Sequence, residues 1–348
     1  MPRADEQIFP AGCKYSPHPC FLVVRLGSLG DLMHTLPAVA ALRSNFPGAR
    51  LDWVVEQKWY SLLELVTVVD GVIPWRRSFP GWWSGLRGLR RTHYSCAVDF
   101  QGLYKSALLA RLSGAPRRIG FHSNFAREPG AARFYSQRVI PTGRHVAEMN
   151  MSLAVAAGAE RPGVMQCPLR LPADEVAAVR EMLARAGIGD FAVVSPGGGW
   201  RSKCWPPERY GALCAELWRR LAVRVVVNTG PGEEALGGAV MVAAAPATPL
   251  LFSPSLRQLA ALLGLARVVV AADTGPLHLA AALGTPVVAL FGPTDPARNG
   301  PVPKGRVLRN ASAKETTYQR GESYSPAMLA LGVEQVAATV ERELSVRS

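Results

Sequence analysis

The chain has 348 residues, enough for two domains that each bury a core, and its 33 glycines and 28 prolines are scattered without a short period. With 49% hydrophobic and 19% charged residues, a disordered, collagenous or coiled-coil chain is excluded. The net charge of +13 is unevenly placed: thirteen Lys or Arg lie between Arg76 and Arg144 against only Asp99 and Glu128, which favours an anionic partner for the first half, whether nucleic acid, a membrane surface or a phosphorylated substrate.

Residues 1–20 form a polar N-terminal extension without the apolar core of a secretory signal, so a cytoplasmic location is expected. A strand is predicted over 21–26 (FLVVRL), then a Gly-Ser loop and an amphipathic helix over 32–46. The alternation continues with strand 51–55, a helix near 59–65, strand 71–75, a helix near 85–91, strand 96–100, a helix near 105–112 and strand 118–121. After a proline-bounded stretch the pattern restarts: helix 174–186, strand 191–195, a helix opening at Pro206 and Pro207, strand 223–227, a helix from Glu233 and strand 249–252. Helix 255–265 follows, opened by a capping box of Ser255 and Gln258, then strand 267–272, a helix from Pro276 and strand 286–291. Strands alternating with helices predict an α/β chain of two doubly wound parallel sheets. The segment 325–344 has helical spacing, and is expected to close the structure by packing back on the first domain.

The uncharged stretches 235–256 and 274–294 are broken by prolines, so neither reads as a membrane-spanning helix. Six cysteines (Cys13, Cys20, Cys96, Cys167, Cys204 and Cys214) lie far apart with no CxxC pair and no histidines at ligand spacing. A disulfide framework or metal site is therefore not expected, and a reducing compartment is.

In open α/β sheets ligands bind beyond the carboxyl ends of the strands, so the loops there carry the chemistry. Gly27-Ser28-Leu29-Gly30 lets a ligand approach the backbone and delivers Asp31 to a helix start, where it either meets that ligand or only complements the helix dipole. Asp52, at the start of the second strand, is a weak candidate for a ribose contact. Gly197-Gly198-Gly199-Trp200-Arg201-Ser202-Lys203 offers bare amides and cations suited to phosphate, without the order of a Walker A loop; a flexible basic turn is the plainer account. In Asp273-Thr274-Gly275-Pro276-Leu277-His278 a proline in the first turn leaves amides that can cradle an anion, and His278 either packs or contacts a diphosphate. Glu233 and Glu234 either accept from a ribose diol or are first-turn acids.

The stretches RLGSLGDLMHTLPAVAALRSNFPGARLDWVVE (25–56), DFQGLYKSAL (99–108), RIGF with AREPGAARFY (118–135), KCWPPERY (203–210) and DTGPLHLAAALGTPVVALFGPTDP (273–296) resemble the ADP-heptose:lipopolysaccharide heptosyltransferases, glycosyltransferase family 9. The AREP segment points to the type I branch. The resemblance implies a GT-B architecture of two Rossmann-like domains facing a central cleft. Residues 21–165 would bind the acceptor, 166–324 the nucleotide sugar, and 325–348 would be the C-terminal helix. It implies an inverting, metal-independent transfer, with no cofactor, of heptose from ADP-L-glycero-D-manno-heptose to the Kdo region of the lipid A inner core. The enzyme would sit peripherally on the anionic inner face of the inner membrane.

Carried over by motif, Asp31 would be the general base and Lys203 would neutralise the departing diphosphate. Thr274, Gly275, Leu277 and His278 would bind that diphosphate, Asp273 the heptose hydroxyls, and Glu234 (or Glu233) the ribose. Arg76, Arg77, Lys105 and Arg127 would contact the acceptor. The chain departs from type I members at Gly198, Gly199 and Trp200, and 297–324 finds no match. Two alternatives remain: a type II member or one with another nucleotide sugar, and a nucleic-acid or membrane-surface binder using Trp82, Trp83, Tyr94 and Tyr104 as stacking platforms. No nucleic-acid-binding signature supports the latter, so nucleic acid is not expected as a partner.

Overall fold

A computed structural model describes residues 18–76, 89–90, 92–312 and 315–345. It divides into two compact units, Met1–Arg170 and Leu171–Ser348, a few residues beyond the expected boundary.

In the first unit six parallel strands, β1 (Cys20–Val24), β2 (Arg50–Glu56), β3 (Gly71–Trp75), β4 (Cys96–Asp99), β5 (Arg117–Phe121) and β6 (Gln137–Val139), take the order β3-β2-β1-β4-β5-β6. This is the Rossmann winding, and its order reverses between β1 and β4, where the loops after those strands diverge. The central strands read as continuous apolar runs because both faces are covered: Phe21 to Val24 and Cys96 to Val98 are fully buried. Helices α1 (Leu29–Asn45), α2 (Tyr104–Leu112) and α3 (Val146–Ala156) flank the sheet. Helix α3 packs on α1, where Asn150 Nδ2 donates to the His34 carbonyl at 3.1 Å and to Thr35 Oγ1 at 3.2 Å.

The second unit repeats the plan. Strands β7 (Phe191–Ser195), β8 (Arg224–Asn228), β9 (Leu250–Phe252), β10 (Val268–Ala272), β11 (Val287–Phe291) and β12 (Arg306–Arg309) are parallel in the order β12-β11-β10-β7-β8-β9. The reversal now lies between β7 and β10. Its helices of eight residues or more are α4 (Ala173–Arg185), α5 (Pro207–Leu221), α6 (Glu234–Ala243), α7 (Leu256–Leu265), α8 (Gly275–Ala282) and α9 (Val333–Ser345).

The C-terminal helix packs within the second unit. Val336, Ala337 and Val340 of α9 are buried with Leu213 and Leu217 of α5 and with strand residues Val270 and Leu290, so α9 completes the core of its own unit. Trp205 Nε1 and Arg209 Nη1 hold the approach to it by donating to the Leu331 carbonyl at 3.0 and 2.7 Å.

Strands β6 and β12 and helix α3 escaped the periodicity reading. Gln137-Arg138-Val139 and Arg306-Val307-Leu308-Arg309 are edge strands whose polar residues hide the alternation. The helix expected near 85–91 is seen only as helical Leu89 and Arg90, the remainder lying outside the described residues. Among the described residues no helix is long and apolar enough to cross a membrane.

Candidate active site

At the reversal point of the first sheet, β1 runs into Arg25, whose side chain is 2% exposed and whose Nη2 lies 2.6 Å from Asp31 Oδ1. Arg25 Nη1 donates to the Phe100 carbonyl, fixing the guanidinium to the loop after β4. Asp31 is the third residue of α1, and its Oδ2 accepts from the Ser28 amide at 3.1 Å and hydroxyl at 3.0 Å, a capping box that starts the helix earlier than apolar spacing suggests. A second cation arrives from the loop after β5: Arg127 Nη2 stands 3.0 Å from both Asp31 oxygens. Burial opposes ionisation of Asp31, but the Arg25 and Arg127 guanidiniums and the Ser28 amide overcome it and hold its carboxyl well below the usual range.

Asp99, fully buried at the end of β4, organises the neighbouring loop. Its Oδ1 accepts from the Gln101 amide at 2.8 Å and the Gly102 amide at 3.3 Å; its Oδ2 accepts from Ser106 Oγ at 2.8 Å and Tyr135 Oη at 2.7 Å. Burial is the larger effect and pushes the Asp99 pKa up, with these hydrogen bonds opposing it. Gln101 Oε1 in turn accepts from the Leu26 amide at 2.7 Å, tying the β4 loop to the β1 loop. Gly102 has φ +69°, and a Cβ there would stand 3.2 Å from Ala126 Cα and from the Arg127 nitrogen. The glycine thus permits the close approach that places Arg127 beside Asp31.

The other expected acceptor contacts line the same carboxyl edge without touching Asp31. Lys105 Nζ is 3.2 Å from Glu56 Oε1 at the end of β2, and Arg76, just past β3, donates from Nε to Gln57 Oε1 at 3.1 Å. Arg77, Trp82 and Trp83 lie outside the described residues. Tyr94 is buried and donates to Asp52 Oδ2 at 2.8 Å, so it is no stacking platform and Asp52 no ribose ligand: Asp52 belongs to the fold.

At the reversal point of the second sheet, the loops after β7 and β10 converge. The loop after β7 ends in a 3₁₀ turn, Arg201–Lys203, which brings Lys203 Nζ to 3.8 Å from Asp273 Oδ2 and 4.2 Å from the centre of the Trp200 ring. Asp273 leaves β10 and its Oδ1 is 3.0 Å from His278 Nε2. An ionised carboxylate only accepts, so Nε2 carries the hydrogen. Burial again opposes ionisation of Asp273, and the His278 hydrogen bond and the Lys203 charge bring its pKa down to about 2. Thr274 caps α8 with extended backbone, Gly275 is its first residue, and the first-turn amides, Leu277 among them, have no partner inside the helix. A cation, a hydroxyl and a helix start therefore surround one small volume, which suits a diphosphate.

The two glutamates separate. Glu233 accepts from the Gly230 amide at 2.7 Å and lies against Gly197, where a Cβ would stand 2.1 Å from its Oε1. Glu234 is exposed, and its Oε1 accepts from the Gly232 amide at 3.1 Å, which with its own amide lowers its pKa. Gly198 is similarly tight, a Cβ falling 2.5 Å from Cys204 Sγ and 3.3 Å from Thr274 Cγ2. Sequence reasoning missed Arg25, Asp99 and Gln101 as parts of these sites; a charge ending an all-apolar strand, as in VVRL, was the available signal for the first.

The comparisons with known proteins follow the same two units. The family described as Glycosyltransferase family 9 (heptosyltransferase) matches residues 82–327. Lipopolysaccharide heptosyltransferase 1 of Pseudomonas aeruginosa is 34% identical over 304 residues, covering 82% of each chain. The solved structure of E. coli heptosyltransferase WaaC with ADP is 28% identical and superposes with a TM-score of 0.74 over 93% of this chain and 99% of that one. E. coli ADP-heptose lps heptosyltransferase II, 23% identical with a TM-score of 0.78 over 94% and 99%, shares the fold. With the family match spanning most of both units, the chain belongs to glycosyltransferase family 9, the heptosyltransferases.

Proposed function

We propose that this chain transfers heptose from ADP-heptose to the Kdo region of the lipid A inner core, with inversion at the anomeric carbon. The observation that carries the donor half is the convergence of Lys203, Asp273 and His278 at the start of α8. The acceptor O–H loses its proton to Asp31 as the new bond to the anomeric carbon forms, and the old C–O bond leaves its electron pair on the diphosphate of ADP. Lys203 and the α8 amides stabilise the charge that develops on that leaving group, the work a divalent ion would otherwise do. Asp273 orients the heptose hydroxyls, and Glu233, seated against the glycine loop, is better placed than Glu234 for the ribose. Arg76, Lys105 and Arg127 meet the acidic acceptor, and the basic excess of the first half suits a peripheral position on the anionic inner face of the inner membrane.

The direct test is a thermal-shift screen against ADP, UDP and GDP, since a ligand that binds the native state raises Tm. ADP should give the largest shift, and Lys203→Ala should remove most of it. Asp31→Asn should keep the ADP shift while transfer to a Kdo-bearing acceptor drops about 10³-fold, within the range for losing a general base. A larger shift with UDP or GDP would favour the second reading, a family member with another donor, which the Gly198-Gly199-Trp200 departure supports.

A further inference from the structure

The loop from Gly198 to Lys203, which departs from the type I pattern at Gly198, Gly199 and Trp200, meets the segment 320–325 in the second unit. The Ser202 amide donates to the Gly321 carbonyl at 3.2 Å, and the Ser202 carbonyl accepts from the Ser325 amide at 3.3 Å. Gly321 allows that approach, because a Cβ there would stand 3.1 Å from the Ser202 Cβ. Arg201 lies 4.7 Å from the centre of the Tyr324 ring and donates to its hydroxyl at 3.2 Å. These contacts carry the exposed Arg320 onto the donor loop, where its Cζ is 5.6 Å from the centre of the same Trp200 ring that Lys203 approaches at 4.2 Å.

The charge balance gives this arrangement a purpose. A sugar nucleotide brings two negative charges on its diphosphate. Lys203 brings one positive charge and already faces the Asp273 carboxylate at 3.8 Å, so that pair is close to neutral, and the α8 start supplies only about half a charge. Two polar hydrogens at the site, on Thr274 Oγ1 and Trp200 Nε1, are buried with no hydrogen-bond partner among the described residues, as expected of donors kept for a ligand. Arg201, the other cation of the loop, is engaged by the Tyr324 hydroxyl and ring, so the site has donors in place and draws its further cationic charge from Arg320.

We propose that Arg320 is a second cation for the diphosphate of the donor, and that Trp200 is the positioning residue that gathers it and Lys203 at one ring, within roughly one screening length of each other (about 10 Å at 0.1 M salt). The proposal rests on reading the second unit as the nucleotide-sugar site.

Isothermal titration of the full chain with ADP, AMP and adenosine tests it. Arg320→Ala should weaken ADP about tenfold, a loss that shrinks at high salt, while adenosine binding is unchanged. Trp200→Ala should weaken ADP at least as much, with a loss that also shrinks at high salt, a dependence that a merely structural role for the indole would not show; Trp200→Phe, which keeps a ring but lacks the indole hydrogen, should recover only part of it. Arg320→Ala binding ADP like the parent while Lys203→Ala loses it would overturn the Arg320 proposal and leave the donor site standing. A parent protein that binds adenosine as tightly as ADP would overturn both.

Discussion

Asp31 sits between one fixed and one exchangeable arginine. Arg25 is 2% exposed and anchored to the Phe100 carbonyl, whereas the Arg127 side chain is 51% exposed and reaches Asp31 from another loop. An acid so held is a weak base, and an anionic acceptor that draws Arg127 to itself would strengthen it at the moment of reaction. Arg127→Met should therefore raise the Asp31 pKa, followed by NMR titration of its carboxyl; an unchanged titration would show that Arg127 does not govern this acid. Asp273 carries the complementary prediction for stability. Its folded pKa of about 2 lies below the ordinary value of about 3.9, so its contribution of about 2 kcal/mol is complete above about pH 4 and disappears as pH falls through 2. Urea unfolding of the parent and of Asp273→Asn should differ most at neutral pH, with the gap narrowing below about pH 4 and closing toward pH 2; a constant gap would contradict the sign.

At the scale of elements, the loops after β1, β4 and β5 act together because the Leu26 amide, Gln101 and Gly102 tie them to one another. Gly102→Ala should reduce transfer at least tenfold with ADP affinity unchanged, since a Cβ in the left-handed region also pushes back the Arg127 backbone. Gly114→Ala is the control: its φ is +83° but nothing lies within 4 Å, so it should cost about 1 kcal/mol of stability and no activity. This is also where the sequence stops being informative. The central strands were legible because burial on both faces leaves only apolar residues, and Asp31, Lys203, Asp273 and His278 were legible because each follows such a strand. The pairing of Asp31 with Arg127 was not, since Arg127 is distant in the chain and reaches Asp31 only because Gly102 lets two loops close on one another. Edge strands β6 and β12 were hidden for the opposite reason: half of each faces solvent, so its polar residues read as loop.

Across the molecule, the two units repeat one winding but differ in how each is completed, the second taking its last layer from the chain terminus. Val336 and Val340 of α9 are fully buried, so replacing either with Ala should cost roughly 2 kcal/mol in urea unfolding, the loss of two buried methyl groups and the cavity left behind. If both changes are silent, α9 is an appendage and not part of the core.

All-parallel sheets that do not close into barrels also leave open borders, four of them among the described residues. The borders are β3, β6, β9 and β12, two of which are only three residues long; β3 carries Pro74 and β12 begins and ends in arginine. Short, proline-bearing or charged margins make poor templates for strand addition by a neighbouring molecule. The same polar edges that obscured the fold to inspection thus protect a chain with 49% hydrophobic residues from self-association at high concentration.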